Sequence, residues 1–505
     1  MNITILNSIL LFIVAFWFVR TLKAVLFWLY LWQLKEYHIG RFLDYFRTQK
    51  GKQSLFNKLA IFKNIVLLVV IAYALLSSPS AMYEESIGNI ILALALSFFF
   101  YITYPVEGMR TVRQYLSHTL LKPVWTKKTL VLFLILSVVF LAIAVYAISS
   151  SLVILLLFDI LTPVVVSLVV MGLQPLAVLG RNRLIAQAKQ KRDHFKNLMV
   201  IGITGSYGKT STKDFLSRIL SQKFKVLKTK EHQNSEVGIS QCILNELKPE
   251  HEVFVCEMGA YNKGGIKLLA GIAKPAIGVL TGINEQHMAT FGSQENIIKT
   301  KYELIENLPS NGVAFFNAKN SYCLELYNKT AMRKVLYGQD AKFSGEENIL
   351  GAMAVAKELG MSDEEIARAA KGIENIFPGT QVKKGKDGLT IIEATYSANP
   401  TGVLANLEYL KTFPGKKVIV MPCLIELGTA AKEVHQRIGK KIVEICDLAI
   451  ITTEDHFEDL KQGSERVILF MNPREIIDTL KNTTKEGDVV LLEGRIPSKV
   501  LELLL

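Results

Sequence analysis

Acidic residues are scarce in the first two fifths of the sequence. Residues 1–200 contain 20 Lys and Arg but only 7 Asp and Glu, whereas residues 201–505 contain 38 of each kind. The net charge of +13 therefore lies entirely in the more apolar part of the chain. A soluble nucleic-acid-binding protein would carry its basic excess on a folded polar surface. This distribution excludes nucleic acid as the expected partner.

Cysteine is also scarce, and none of the five cysteines forms a C-x-x-C pair or stands beside a histidine cluster. A zinc ribbon or a disulfide framework is therefore excluded, and buried thiols in a reducing compartment are expected. Glycine and proline occur at ordinary frequencies, which excludes a collagen-like or disordered chain. The N-terminus has neither the basic start nor the small-residue site of a cleavable signal peptide.

Long apolar runs dominate the first 180 residues. A membrane-spanning helix needs about 20 mainly apolar residues, and five stretches qualify: residues 3–18, 61–76, 87–106, 130–148 and 152–178. The first can continue as one helix through residues 24–32, although Arg20 and Lys23 interrupt it. Asp159 is the one clear ionisable residue that we expect to be buried within the spans, which argues against a transporter.

The connections between these runs alternate in charge. Residues 35–63, 107–128 and 181–196 are rich in Lys and Arg, whereas residues 77–86 and 149–151 contain neither. Basic loops remain on the cytoplasmic side of a membrane. The sequence therefore predicts an integral protein of the cytoplasmic membrane, with its N-terminus outside and everything after residue 180 in the cytoplasm.

After residue 197, short β-rich runs alternate with helical stretches, which is typical of doubly wound α/β domains with parallel sheets. The expected strands are 198–204, 253–257, 276–280, 312–316, 389–393, 417–421, 448–452, 467–471 and 489–492. The expected helices include 212–220, 297–308, 348–359 and 363–373. A Phe-Pro-Gly turn at 377–379 divides this half, so the predicted domains are 1–197, 198–378 and 379–505.

A phosphate-binding loop follows the first of these strands. Residues 202–212 read Gly-Ile-Thr-Gly-Ser-Tyr-Gly-Lys-Thr-Ser-Thr, with an apolar strand before and a helix after. Backbone amides beside Gly205 and Gly208 can bind phosphate at the helix N-terminus. Lys209 would reach the terminal phosphates of ATP, and the Thr210 hydroxyl would ligate Mg²⁺. The strict motif is not met, because Ile203 occupies its first glycine position.

Several spaced motifs resemble those of the Mur ligases, and among them the MurF type. They are Thr-Gly-Ser-Tyr-Gly-Lys-Thr at 204–210, Asn-Ser-Glu-Val-Gly at 234–238, Glu-Met-Gly-Ala at 257–260, Asn-Glu-Gln-His at 284–287, Lys-Tyr-Glu at 301–303 and Glu-Ala-Thr-Tyr-Ser-Ala-Asn-Pro at 393–400. The resemblance covers residues 198–505. It implies a P-loop central domain and a Rossmann-like C-terminal domain, so the expected fold is a multi-span α-helical membrane domain followed by these two α/β domains.

The resemblance also implies a role for individual residues. ATP would be bound by Gly205, Ser206, Tyr207, Gly208, Lys209, Thr210, Ser211, Asn317 and Asn348. Mg²⁺ would be held by Thr210, Glu257, His287 and Lys301, the lysine position that is often carbamylated in this family. The catalytic residues would be Lys209, His287 and Lys301. The substrates would be bound by Asn234, Ser235, Tyr396, Asn399 and Glu426.

The chain departs from the family pattern in two respects. Lys319, Glu347, Thr380 and Ala394 replace residues of the family's nucleoside and amino-substrate motifs. The family's N-terminal domain, which holds the UDP-sugar, is missing, and the membrane domain stands in its place.

The function that the resemblance implies is an ATP-dependent amide ligase of cell-wall precursor synthesis, working through an acyl phosphate. Its partners would be membrane lipid, a carboxylate-bearing envelope precursor that the membrane domain would allow to be lipid-linked, and an amino acid or dipeptide. Two alternatives remain open. One is a non-catalytic ATP-binding membrane scaffold or sensor, suggested by the four altered positions. The other is a capsule-type poly-γ-glutamate ligase, which the C-terminal motifs argue against.

Overall fold

The computed structural model describes residues 3–76, 87–231, 233–342, 345–371, 380–395 and 398–505. The chain forms two compact units, Met1–Leu179 and Gly180–Leu505. The first unit is helical. Its helices are α1 Ile3–Leu34, α2 Ile39–Tyr45, α3 Gln49–Leu55, α4 Lys58–Leu76, α5 Ile87–Leu116, α6 Lys127–Ser149, α7 Val153–Gly172 and the start of α8 Gln174–Asp193.

Five helical segments in the described residues are long and apolar enough to cross a membrane. They begin at Ser8, Gln49, Ile87, Lys127 and Val153, and each overlaps one of the five predicted stretches. The first is a single helix through Leu34, as the sequence allowed. The last predicted stretch is divided, because α7 ends at Gly172 and α8 begins at Gln174.

The expectation that Asp159 alone is buried within the spans was wrong. Lys63 and Glu107 had been counted with the basic loops, but α4 starts before Lys63 and α5 continues past Glu107. The Lys63 side chain is only 3% exposed and its Nζ lies 2.6 Å from Asp159 Oδ2. Hydropathy alone missed Lys63 and Glu107 because each lies close to a basic connection in the sequence.

The second unit contains two α/β domains. The first has β1 Met199–Thr204, α9 Lys209–Leu220, β2 Val226–Lys228, α10 Glu236–Glu246, β3 Val253–Glu257, α11 Gly265–Ala273, β4 Ile277–Leu280, α12 Met288–Phe291, α13 Gln294–Glu306, β5 Val313–Asn317, α14 Ser321–Lys329, β6 Lys334–Tyr337, α15 Glu346–Glu358 and α16 Asp363–Ala370. Its six strands are all parallel, in the order β2-β3-β1-β4-β5-β6.

The second α/β domain has β7 Gln381–Lys384, a 3₁₀ turn at Lys386–Gly388, β8 Thr390–Ala394, α17 Pro400–Lys411, β9 Lys417–Met421, a 3₁₀ turn at Gly428–Ala430, α18 Ala431–Ile445, β10 Leu448–Ile451, α19 Phe457–Lys461, β11 Val467–Leu469, α20 Pro473–Thr483, β12 Val489–Glu493 and α21 Ser498–Leu504. The strand order is β11-β10-β9-β12-β8-β7.

One strand differs from the expected parallel arrangement. β7 pairs antiparallel with β8, because the short turn between them includes Asp387 and Gly388 with φ of 56° and 74° and folds the chain directly back. β2, β6 and β7 had not been predicted; each is a short, incompletely buried strand at the edge of its sheet, so it lacks the continuous apolar run of a strand buried on both faces.

The inner strands are continuous apolar runs in the sequence because both faces of the parallel sheet are buried. On β1, Val200 packs into the core on one face of the sheet, whereas Ile201 and Ile203 pack into the core on the other. The parallel register brings the carboxyl ends of β1, β3 and β4 to one edge. In open α/β sheets this edge is where ligands bind.

Candidate active site

The phosphate loop lies between the end of β1 and the start of α9. Gly208 adopts φ of +79° at the N-terminus of that helix, a conformation that favours glycine. A Cβ at Gly205 would lie 2.2 Å from Thr281 Oγ1, so a side chain there would collide with the loop after β4. Ser206 N donates to Gly282 O at 2.6 Å. These constraints fix a backbone turn whose amides lie at a helix N-terminus, an arrangement that binds anions.

Lys209 follows the loop directly. Its Nζ donates to Gly205 O at 2.7 Å and to Ser206 O at 3.2 Å. Burial lowers the pKa of Lys209, although the Glu257 charge acts in the opposite direction. The ammonium group therefore lies against the loop whose amides would bind phosphate.

Glu257, at the end of β3, connects the loop to three other polar side chains. Its Oε2 accepts from Thr210 Oγ1 at 3.0 Å and from Lys213 Nζ at 3.1 Å. Its Oε1 accepts from Asn234 Nδ2 at 3.1 Å. Burial acts to raise the pKa of Glu257, but the charges of Lys209 and Lys213 and the hydrogen bonds from Asn234 and Lys213 outweigh it, so the pKa is lowered. Glu257 is therefore ionised at neutral pH.

The donor set of Thr210 and Glu257 fits Mg²⁺. A carboxylate and a hydroxyl are hard oxygen ligands, which this ion prefers, and they lie within 3.0 Å of each other beside the phosphate loop. No three His, Cys, Asp or Glu side chains in the described residues come together as a metal site. Protein ligands to Mg²⁺ are often only one or two, the rest being water and substrate phosphate.

Lys301, on α13, is 3% exposed. Its Nζ lies 3.4 Å from Ala260 O and 5.7 Å from the centre of the Phe291 ring. Burial, aided by the nearby Lys209 charge, lowers its pKa to about 7. A large part of the Lys301 population is therefore neutral near pH 7, and a neutral amine is the form that can react with CO₂.

His287, expected as a metal ligand, has a different partner. Its Nδ1 lies 2.7 Å from Glu426 Oε2 in the second α/β domain, so the expected metal ligand and the expected substrate residue contact each other. Burial lowers the pKa of His287, although the bond to Glu426 acts in the opposite direction. Both residues have positive φ, 66° and 64°, which indicates that the surrounding contacts impose their backbone conformations.

Further contacts join the same two domains. Asn284 Nδ2 donates to Asn399 Oδ1 at 3.1 Å and to Thr401 Oγ1 at 3.0 Å. Arg437 donates through both terminal nitrogens to Glu285 Oε1 at 3.1 Å. The loop after β4 is therefore the surface on which the second domain rests.

Two of the expected substrate residues also cap helices. Asn399 Oδ1 accepts from Gly402 N at the start of α17, and Ser235 Oγ accepts from Gly238 N at the start of α10. Such bonds satisfy backbone donors that the first helical turn leaves unpaired. The expected contact Tyr396 lies outside the described residues.

The remaining expected ATP contacts are mostly engaged within the protein. Asn317 Nδ2 donates to Thr281 O at 2.6 Å, and Asn348 Oδ1 accepts from Thr212 Oγ1 at 3.2 Å. Tyr207 Oη accepts from Asn320 Nδ2 at 3.3 Å. Ser211 lies in the first turn of α9 and is partly exposed. These side chains shape the wall beside the phosphate loop.

Comparison with known proteins agrees with this geometry. Residues 203–363 match the Mur ligase middle domain, and residues 380–496 match the Mur ligase glutamate ligase domain. The chain is 28% identical to the UDP-N-acetylmuramoyl-tripeptide–D-alanyl-D-alanine ligase of Synechocystis, over 58% of this chain and 71% of the relative. It is 27% identical to the ligase of the same name from Bacillus subtilis, over 60% and 74%.

Solved structures agree as well. The MurF ligase of Thermotoga maritima in complex with ADP is 28% identical, with a TM-score of 0.56, and the match covers 64% of this chain and 83% of that one. A MurF of Acinetobacter baumannii has the same fold, with a TM-score of 0.59 at 24% identity over 64% and 80% of the two chains.

The chain belongs to the Mur ligase family. The two family domains together account for more than half of its length, and its similarity is to the MurF type. Mur ligases are ATP-dependent enzymes that form amide bonds, so this chain is a carbon–nitrogen ligase. Its first 180 residues do not follow the family pattern.

Three residues of this Mur ligase site were not singled out from the sequence. Lys213 contacts Glu257, whereas Thr401 and Arg437 contact the loop after β4. Lys213 could have been noticed, because it follows Lys209 by four residues and therefore shares a helix face with it. The two others are contacts between domains, for which a single sequence carries no signal.

Proposed function

We propose that this Mur ligase is a membrane-anchored, ATP-dependent amide ligase of peptidoglycan-precursor synthesis. Its substrates would be ATP, a carboxylate-bearing envelope precursor and an amino acid or dipeptide. The observation that carries the proposal is the cluster of Lys209, Thr210 and Glu257 at the phosphate loop. The similarity to ligases that act on a UDP-muramoyl-tripeptide and D-alanyl-D-alanine supports the same substrate class.

The first step would transfer the γ-phosphoryl group of ATP to the precursor. A carboxylate oxygen attacks the γ-phosphorus, the bond to ADP breaks, and an acyl phosphate forms. Such transfer depends on positioning and charge neutralisation. The amides of the phosphate loop and Lys209 would hold the phosphates, whereas Glu257 and Thr210 would hold Mg²⁺. Mg²⁺, when bound, neutralises charge on the phosphate oxygens.

The second step would form the amide. The amine nitrogen attacks the acyl carbon, the bond to the phosphate breaks, and the nitrogen loses a proton. The second α/β domain rests on the loop after β4 through Asn284, Glu285 and His287. These contacts would position that domain to deliver the amine and exclude water from the acyl phosphate.

The five apolar helices would anchor the enzyme in the cytoplasmic membrane. The basic connections at 35–63, 107–128 and 181–196 favour an outside N-terminus and cytoplasmic ligase domains. This arrangement supplies the phosphate loop with cytoplasmic ATP. It would also hold the active site near a lipid-linked precursor.

The test compares lipid-linked and UDP-linked peptide precursors in phosphate-release assays on protein reconstituted in vesicles. Faster turnover of the lipid-linked precursor is expected. Equal or exclusive use of the soluble precursor would remove the lipid-linked part of the proposal and leave the ligase intact.

A non-catalytic ATP-binding scaffold is the second candidate. It is favoured by the altered positions Lys319 and Glu347 and by the internal use of the Asn317 amide. The scaffold would be excluded if the wild type formed ADP only when both precursor and amine were present. This activity should be lost in Lys209→Ala but kept in Lys223→Ala. ATP binding without such turnover in the wild type would favour the scaffold.

A further inference from the structure

Four charged side chains from four different helices meet inside the helical unit. Lys63 Nζ on α4 donates to Asp159 Oδ2 on α7 at 2.6 Å and also to the Glu107 carboxylate on α5. Arg20 on α1 contacts the same two carboxylates, with Nε 3.4 Å from Glu107 Oε1. Each cation therefore contacts both anions. We call these four residues the charge ring.

The charge ring is neutral, so it does not itself attract an ion. Its two sides differ in exposure. The side chains of Lys63 and Asp159 are 3% and 1% exposed, whereas those of Arg20 and Glu107 are 20% and 15% exposed. The ring is thus closed on the side of α4 and α7 and open at the edge formed by α1 and α5.

Two more cations lie at this open edge. Lys23 follows Arg20 by three residues on α1, and Arg110 follows Glu107 by three residues on α5. Residues three apart share a helix face, and Lys23 is close enough to Arg20, Glu107 and Arg110 to interact with their charges. Within the described part of the chain, no carboxylate forms an ion pair with Lys23 or Arg110.

The six charges at this place therefore sum to an excess of two positive charges, from Lys23 and Arg110. Lys23 is partly buried and Arg110 is exposed, so a ligand can reach both. The neighbouring α5 side chains Val106, Met109 and Val112 are exposed and apolar. A ligand that satisfies both features has an anionic head and an apolar chain.

We propose that Lys23 and Arg110, oriented by the charge ring, bind the phosphate headgroup of a membrane lipid that carries two negative charges, such as a phosphomonoester or diphosphate of a long-chain alcohol. Cationic pockets between membrane helices on the cytoplasmic side bind phosphate headgroups in this way. The charge excess of two matches a dianion better than the single charge of a phosphodiester lipid. The inference rests on the proposed membrane insertion and names the headgroup of the lipid-linked precursor.

The experiment measures lipid binding by native mass spectrometry on the full chain, reconstituted in phosphatidylcholine with a small fraction of polyprenyl phosphate. The double variant Lys23→Gln/Arg110→Gln should bind polyprenyl phosphate roughly ten- to thirtyfold more weakly, because two cations near the membrane surface are lost. The matched control is Lys50→Gln/Lys52→Gln, which removes the same charge from exposed positions on α3 and should bind like the wild type.

Three results would overturn the proposal: an equal loss in both double variants, which indicates bulk electrostatics; no loss in Lys23→Gln/Arg110→Gln; or equal binding of phosphatidylglycerol or free inorganic phosphate by the wild type. The charge ring is intact in both variants, and an unchanged melting temperature checks that they fold. Lipid binding is measured without ATP or amine. Failure of the proposed ligase activity and failure of this site are therefore distinguishable.

Discussion

The pair of Lys213 and Glu257 offers a direct test of how the carboxylate beside the phosphate loop is stabilised. Lys213 is 1% exposed and Glu257 is 5% exposed, and their charged atoms are 3.1 Å apart. Lys213→Met keeps most of the side-chain volume but leaves the buried Glu257 carboxylate without its closest cation. Breaking a buried pair by removing one partner costs about 3–5 kcal/mol.

Protonation sets an upper limit on this cost. Protonating a carboxylate with an ordinary pKa of about 4.3 costs roughly 4 kcal/mol at pH 7.5, and protonation removes the unpaired charge. Thr210 and Asn234 still donate to Glu257 in the variant. At about 2–4 °C per kcal/mol for a domain of this size, the melting temperature of the middle domain should fall by about 6–16 °C. Mg²⁺ with ATP should recover part of this loss, because the ion supplies positive charge beside Glu257.

The assay is thermal unfolding of the full chain, with and without Mg²⁺ and ATP. The matched control is Lys223→Met, which breaks the exposed pair with Glu365 and should cost less than about 1 kcal/mol. Lys213→Met/Glu257→Gln removes both charges and should be more stable than Lys213→Met alone. A melting temperature for Lys213→Met within 1 °C of the Lys223→Met control would refute the reasoning.

Three further predictions concern other buried groups. Burial raises the pKa of Glu493 to about 8, so the folded protein keeps a proton that the unfolded chain releases. The free energy of unfolding should therefore fall as pH rises from about 4.5 to 8. Glu493→Gln should reduce this pH dependence in denaturant titrations. Because the pKa of Lys301 is about 7, labelled bicarbonate should give a carbamate carbon-13 NMR signal that grows from pH 6 to 8 and is absent in Lys301→Ala. Arg192 donates to three backbone carbonyls, so Arg192→Met should lose about 3 kcal/mol or more of stability in chemical denaturation.

Local patterns in the sequence predicted much of the ligase fold. β3 was placed at its observed bounds because four apolar residues in a row precede Glu257, and the phosphate loop was placed by its glycines and by the strand and helix beside it. Residues Thr210 and Glu257 were expected to share a site, and the parallel register brings them within 3.0 Å.

The contacts that were not predicted join residues far apart in the chain. The family resemblance assigned His287 to the metal, yet the second domain supplies Glu426 as its partner. The charge ring was missed for a similar reason: Lys63 and Glu107 stand beside basic loops in the sequence, and only helix packing shows that Lys63 contacts both Asp159 and Glu107. Pairing across elements depends on tertiary geometry, which hydropathy and spacing do not encode.

The central claim is that the cluster at the phosphate loop drives amide formation. The most direct measurement incubates the reconstituted full chain with ATP, a carboxylate precursor and a panel of amino acids and dipeptides. The amide product is detected by mass spectrometry, and ADP and phosphate are quantified in the same reactions. We predict one ADP and one phosphate for each amide formed by the wild type. Lys209→Ala should form none of these three products. ATP binding without any amine-dependent ADP or amide across the panel would contradict this prediction.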